Sequence, residues 1–211
     1  MSRPSRQLPP VDLARGRSFT SRQQTVLSDL ATMFLRDGFR GMTIQELAAR
    51  LHCSRRTLYE LAPSKDELVL LVIDRLMRRI GRQAMVNMRA TDDPIEKIHT
   101  YVSTASTVLL PESHAFSVDV AAHPAAHRLF VEHYRFATSV VAQLVQDGVD
   151  GGSLRGTNPH LVAEVLNAGL VRLQDPDVLR LAGVSNADAM QQLFDLVVYG
   201  LTQDLSVGVS R

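Results

Sequence analysis

Apolar residues recur along most of this chain at intervals of three and four, and no stretch alternates with the period of two that a strand needs, so the pattern predicts an all-α fold. Val26, Leu30, Met33 and Phe34 define the first amphipathic helix, opened by a capping box at Ser21 and Gln24. Gly38 followed by Phe39 predicts its end, with the glycine in the left-handed region and the ring folded back. Ile44, Leu47, Ala48 and Leu51 give a short second helix with a T-x-x-E box at Thr43 and Glu46. Ser54 is a good N-cap for a third, in which Arg55, Arg56 and Thr57 stay exposed while Leu58 turns inward. A further box at Ser64 and Glu67 opens a long helix through Leu68, Leu71, Val72, Leu76 and Ile80 toward Met88, roughly 35 Å long at the α-helical rise.

Beyond Ala90 the pattern continues in helices started by prolines at Pro94, Pro111, Pro124 and Pro159, since proline suits a first helical position. The helix from Pro94 should run to about Leu109, and that from Pro124 should stop near Gly148, before a loop at residues 150–153. A last helix is expected within Ser185 to Leu205. The helix from Pro159 and this last one are apolar over more than a narrow stripe, which predicts a second buried surface beyond their own core. A second copy of the chain, joined through a four-helix arrangement about a two-fold axis, fits that surface. The predicted organisation is a flexible basic arm at 1–20, a helix-turn-helix domain at 21–65, a connecting helix at 66–89 and a helical bundle at 90–211.

Composition sharpens the class. With aromatics at 5%, no Trp and abundant Leu, Val and Ala, the chain suits helix packing. One cysteine cannot form an internal disulfide, the first 20 residues have no apolar signal core, and the longest apolar run, Leu68 to Ile73, is six residues. A soluble cytoplasmic protein without a membrane segment is expected. Charge divides the chain unevenly: residues 1–90 carry 16 Lys and Arg against 8 Asp and Glu, and residues 91–211 carry 7 against 14. The basic half is the part that phosphate would attract. The arm, with Arg3, Arg6, Arg15 and Arg17, serves either as a supplement to DNA binding or as a solubilising tail.

Residues 43–62 read as two short helices around a turn, the second starting with paired arginines, which is the division of labour a DNA-reading helix requires. The segment from Ser21 to Leu76, with D-G-F, T-I-Q-E-L-A, C-S-R-R-T-L-Y and P-S-K-D-E-L in that order, resembles TetR-type transcriptional regulators. G-G-S-L-R-G-T-N-P, from Gly151 to Pro159, is similar to the loop before that family's dimerisation helices. The resemblance implies a homodimer that binds a double-stranded DNA operator, most often as a repressor, and lets go when a small-molecule effector occupies the C-terminal bundle. It also implies that Thr43, Ser54, Arg55, Arg56, Thr57, Tyr59 and Lys65 face DNA. Arginine can fork onto guanine O6 and N7, while Thr43, Tyr59 and Lys65 suit phosphate. The chain departs from the pattern at His52, where glycine is usual; at Cys53, read as core packing rather than a redox sensor; at Arg56, where a small residue is common; and at Ala62, where an aromatic is usual.

For the effector, an apolar pocket anchored by His99, Tyr101, Phe130 and Tyr134 is the expectation. His114, Asp119, His123, His127 and His133 lie close in sequence and raise a metal-responsive regulator as an alternative, but only Asp119 with His123 and His123 with His127 have i, i+4 spacing and Pro124 interrupts them. Partly exposed or hydrogen-bonded histidines are the simpler reading, with no bound metal and no cofactor. A helical DNA-binding protein without a small ligand is a further alternative. No phosphate loop, G-x-S-x-G or H-E-x-x-H motif occurs, so an enzyme is not expected.

Overall fold

A computed structural model describes residues 17–109 and 111–202, and Leu13 besides. Among the described residues there are ten α-helices and no strand. The first three, α1 (Ser21–Asp37), α2 (Ile44–Arg50) and α3 (Arg55–Leu61), form a head. Then follow α4 (Lys65–Asn87), a 3₁₀ turn at Met88–Ala90, α5 (Pro94–Leu109), α6 (His114–Ala121), α7 (Pro124–Asp150), α8 (Pro159–Arg172), α9 (Pro176–Ala182) and α10 (Asn186–Thr202).

The head closes on Leu30, Phe34, Leu47, Leu58, Leu61 and Leu68, all at or near zero exposure. Burying each such side chain contributes about 1.5 to 3 kcal/mol, and this shared packing stabilises three short helices that would not persist alone. Because Leu68 and Val69 of α4 belong to the same apolar cluster as Ile80, Ile98 and Phe130, α4 is at once the fourth wall of the head and a core helix of the bundle. It is a shared element rather than a linker.

Local chemistry explains the helix ends and corrects several expectations. The cap of α1 is Thr20, one residue before the expected Ser21, and its box is closed with Gln23 rather than Gln24. Gly38 has φ 75° as expected but ψ −172°, an extended geometry outside the left-handed well, and Phe39 does fold back, its ring centroid 5.7 Å from that of Phe34. Thr43 with Glu46 and Ser54 with Thr57 cap α2 and α3 as the sequence indicates. Pro111 starts no helix: α6 begins at His114 with Ser113 as its cap, because a serine hydroxyl can accept the Phe116 N–H and proline offers no such group. The α7 helix passes Gly148 to Asp150, and the glycine is a packing device. A Cβ there would sit 2.7 Å from Leu154 Cδ1. The short α9 was not expected from the pattern; Asp175 caps it and Pro176 is its first residue.

The expected arm at 1–20 falls mostly outside the described residues, but its last part is docked. Arg17 Nη2 donates to the Leu61 carbonyl at 2.6 Å, and the guanidinium groups of Arg17 and Arg75 lie over the Phe19 ring, 5.1 and 4.8 Å from its centroid. The last expected turn, from residue 203 onward, also lies outside. No helix among the described residues is long and apolar enough to cross a membrane.

Candidate nucleic-acid interface

On α3, Leu58 and Leu61 are fully buried while Arg55, Arg56, Tyr59 and Glu60 are exposed. This follows from the 100° turn per residue: the apolar pair falls on one side and the other four on the opposite side. Arg55 projects freely, and Tyr59 is 52% exposed one turn later. Arg56 is 88% exposed at its side chain, with its Nε 3.0 Å from Glu60 Oε1.

The turn that aims this helix is tight. His52 carries φ 49°, the positive value expected at a turn position where glycine is usual, and its carbonyl accepts from Arg22 Nη2 at 3.4 Å. Cys53 N donates to the Ala48 carbonyl at 3.0 Å, and its half-buried thiol is pushed up in pKa by burial, so it is a poorer nucleophile than a free cysteine. At the far end of α3, the Leu61 carbonyl that Arg17 reaches is among those the helix leaves without an internal partner.

Other expected contacts have intramolecular duties. The Thr43 hydroxyl accepts from Glu46 N at 3.2 Å, while Glu46 Oε2 accepts from the Thr43 main-chain N–H at 2.7 Å and from its hydroxyl at 2.8 Å, and these last two bonds hold the Glu46 carboxyl below the usual carboxylate range. Ser54 Oγ accepts from Thr57 N at 3.1 Å and lies 2.9 Å from Thr57 Oγ1. Lys65 Nζ donates to the Arg40 carbonyl at 2.9 Å, across the turn between α1 and α2. Arg55 and Tyr59 therefore carry freely presented groups and Arg56 an exposed guanidinium paired at Nε with Glu60, whereas Thr43, Ser54, Thr57 and Lys65 hold the head's helix ends in place. Glu60 was not among the expected residues, although its position four after Arg56 puts it on the same face.

The bundle separates the expected effector anchors. Tyr101, Phe130 and Tyr134 are buried, but His99 is exposed on α5 with Nδ1 3.8 Å from Asp195 of α10, so the structure does not bring it to them. Tyr134 lies edge-on to Phe130 at 6.0 Å and its hydroxyl accepts from Gln174 Nε2 at 2.8 Å. Burial pushes both tyrosine hydroxyls up in pKa. Next to this lies Glu112, whose carboxylate accepts from Ser117 Oγ at 2.8 Å and Asn186 Nδ2 at 2.9 Å and is raised in pKa by burial. A hollow of about 660 Å³, open to the surface, is lined by Ala121, His127, Val131, Val171 and Gln174, among others.

The histidines of the possible metal cluster are dispersed into separate structural tasks. His123 caps α7, accepting Ala126 N at Nδ1, and packs edge-on to Phe39 at 6.1 Å. His133 is buried with Nε2 3.5 Å from Asp74, which also receives Arg78 Nε at 3.0 Å. Asp119 accepts main-chain N–H groups of the head. No group of three or more metal-binding side chains is assembled among the described residues.

Comparison with known proteins agrees with this geometry. Residues 27–72 match the family described as bacterial regulatory proteins, tetR family. No curated protein matches the chain. Among solved structures, a transcriptional regulator from Saccharomonospora viridis in complex with choline is 18% identical, with TM-score 0.68 over 86% of this chain and 97% of its own. A TetR-family regulator from Agrobacterium tumefaciens is 14% identical, with TM-score 0.66 over 87% and 98%. The fatty acid degradation regulator FadR from Bacillus halodurans is 13% identical, with TM-score 0.65 over 88% and 98%. A capped helix-turn-helix with an exposed cationic face is thus matched by the tetR family model over residues 27–72, and the chain as a whole shares the fold of these solved regulators.

Proposed function

We propose that the protein is a homodimeric repressor that binds a double-stranded DNA operator through α3 and is released by a small molecule bound in the bundle. The observation that carries the DNA reading is the α3 face, where two arginines and Tyr59 stand exposed on a helix whose other side is fully buried. Arg55 and Arg56 suit guanine or phosphate, and the excess of positive charge in residues 1–90 supplies the salt-dependent attraction to the duplex.

The dimer reading rests on α8 and α10. Leu161 and Val165 of α8 and Leu196 and Tyr199 of α10 are 62%, 52%, 72% and 65% exposed, an apolar face too large to be left in water on two adjacent helices. These helices approach each other closely, since a Cβ on Gly169 would come within 2.7 Å of Leu193 Cδ2. Joining that face to its copy would make a four-helix contact, and a two-fold operator requires the two α3 helices of such a dimer to lie about one DNA turn, roughly 34 Å, apart.

For the effector, the hollow beside α6 and α7 is the supported place, because its wall includes Gln174, which holds the Tyr134 hydroxyl. From Tyr134 an aromatic series runs through Phe130 and Phe116 to Phe39 in the head, with centroid separations of 6.0, 6.1 and 6.0 Å. A ligand that displaces Tyr134 or the end of α6 therefore acts on packed side chains continuous with the head. The choline complex of the Saccharomonospora viridis regulator supports a small-molecule effector in a protein of this fold. The test is sedimentation of the full chain with and without DNA: a dimer at micromolar concentration that the Leu196→Glu variant converts to monomer is expected. A wild type that is monomeric in both conditions overturns the reading.

A further inference from the structure

We infer that Glu60 reads a base: paired with Arg56, it selects cytosine at one position of each operator half-site. This rests on the DNA-binding reading proposed above and deepens it, since the four exposed residues of α3 include a carboxylate on the side expected to meet polyanionic DNA.

The fold does not need that carboxylate. The Arg56 to Glu60 pair is solvent-exposed, at 88% and 51% of the two side chains, and an exposed i, i+4 pair adds little to helix stability. Glu60 also makes no bond that caps a helix or joins it to another element; its one contact is Arg56 Nε to Oε1 at 3.0 Å. On a face approaching phosphate, a carboxylate without a partner in the complex repels, so its presence there favours recognition over simple attraction.

The geometry of the pair assigns the two roles. With Nε held by Glu60, Arg56 presents its terminal Nη1 and Nη2 edge, which matches the O6 and N7 acceptors of guanine. Glu60 Oε2 remains as an acceptor on the same exposed face, and the cytosine N4 amino group is the donor that suits it. Thymine O4 and guanine O6 would set acceptor against acceptor. Adenine offers a donor at N6 but places the N7 acceptor beside it, so a carboxylate discriminates against adenine too. The half-site should then contain a guanine and a cytosine as neighbours read by one arginine and one glutamate from successive turns of α3.

The experiment selects duplexes from a randomised library with the full-length wild type, Glu60→Ala and Glu60→Gln, after a thermal melt has shown that all three fold alike. Wild type should enrich a two-fold motif with cytosine preferred at one position per half-site. Glu60→Ala should lose that preference by roughly tenfold, keep the others, and bind non-sequence DNA more tightly because a negative charge has gone. Glu60→Gln should move the preference from cytosine toward adenine, which glutamine pairs with at N6 and N7. A Glu60→Ala motif identical to wild type at every position overturns the inference, as does a loss confined to the guanine position, which would make Glu60 only a holder of Arg56. A library from which wild type enriches nothing overturns the DNA reading itself, and is distinguishable because it is seen before any variant is compared.

Discussion

Asp119 of α6 accepts the main-chain N–H of Arg40 at 2.8 Å, 79 residues away in sequence, and the same Oδ2 takes the N–H of Phe39 at 2.5 Å. These two amides lie in the turn between α1 and α2, so one carboxylate of the bundle holds the backbone of the head. Ser113 N adds a bond to the Leu35 carbonyl at 2.8 Å, and Lys65 Nζ closes the other side of the turn on Arg40. Replacing Asp119 by Ala should destabilise the chain by about 1 to 3 kcal/mol, since two amides lose a charged acceptor. Urea unfolding measures this.

Gly38 is part of the same clamp. A Cβ there would lie 2.6 Å from Asp119 Oδ2, and the residue has φ 75°. Gly38→Ala should cost more than 1 kcal/mol, and less when Asp119→Ala is also present, because the contact is relieved while the backbone strain stays. A double-mutant cycle by urea unfolding should show this shortfall from additivity.

His52 pays for a conformation that glycine adopts freely. His52→Gly should raise stability by about 0.5 to 1 kcal/mol after the greater freedom of the unfolded glycine is allowed for. The bond from Arg22 survives because it uses the main chain. Thermal melting at fixed pH reads the change, and a fall in Tm would contradict the strain assigned here.

Asp74 is fully buried in α4 and binds the guanidinium of Arg78 through both oxygens, each 3.0 Å from Nε, with His133 of α7 3.5 Å away. Removing the carboxylate as Asp74→Ala should cost about 3 to 5 kcal/mol, since the buried guanidinium of Arg78 loses a charged acceptor. A loss below 1 kcal/mol in urea unfolding would show that the site rehydrates.

Glu112 supplies a pH test. Burial raises its pKa in the folded protein, against the opposing bonds from Asn186 and Ser117. A carboxyl raised on folding contributes its full stability below the unfolded pKa, near 4.5, and loses it as pH rises through the folded value. Glu112→Gln, which has no charge to bury, should therefore melt higher than wild type at neutral pH. The difference should vanish as pH falls below the ordinary glutamate range, and a difference independent of pH would rule out this origin.

The head was legible residue by residue because its signals are local. Thr43 with Glu46, Ser54 before Arg55, and the alternation of buried Leu58 and exposed Tyr59 all act within one or two helical turns. The bundle was legible as helices but less so at their junctions: Pro111 matched the pattern of Pro94 and Pro124, yet the Ser113 hydroxyl determined where α6 starts. Asp119 and His123, grouped by spacing with the other histidines, went to a turn amide and a helix cap because their partners come from distant segments.

By itself the sequence determined the all-α class, the helix-turn-helix, the long helix that follows it and the arginines of α3, since period, capping and charge are written in neighbouring residues. Only the tertiary structure decided that Asp119 grips the head, that His99 stands apart from Tyr101, Phe130 and Tyr134, and that Lys65 is engaged on the Arg40 carbonyl. Those assignments depend on which donors and acceptors meet when separate helices pack, and hydrogen bonds a few ångströms long between residues tens of positions apart leave no periodic trace in the chain.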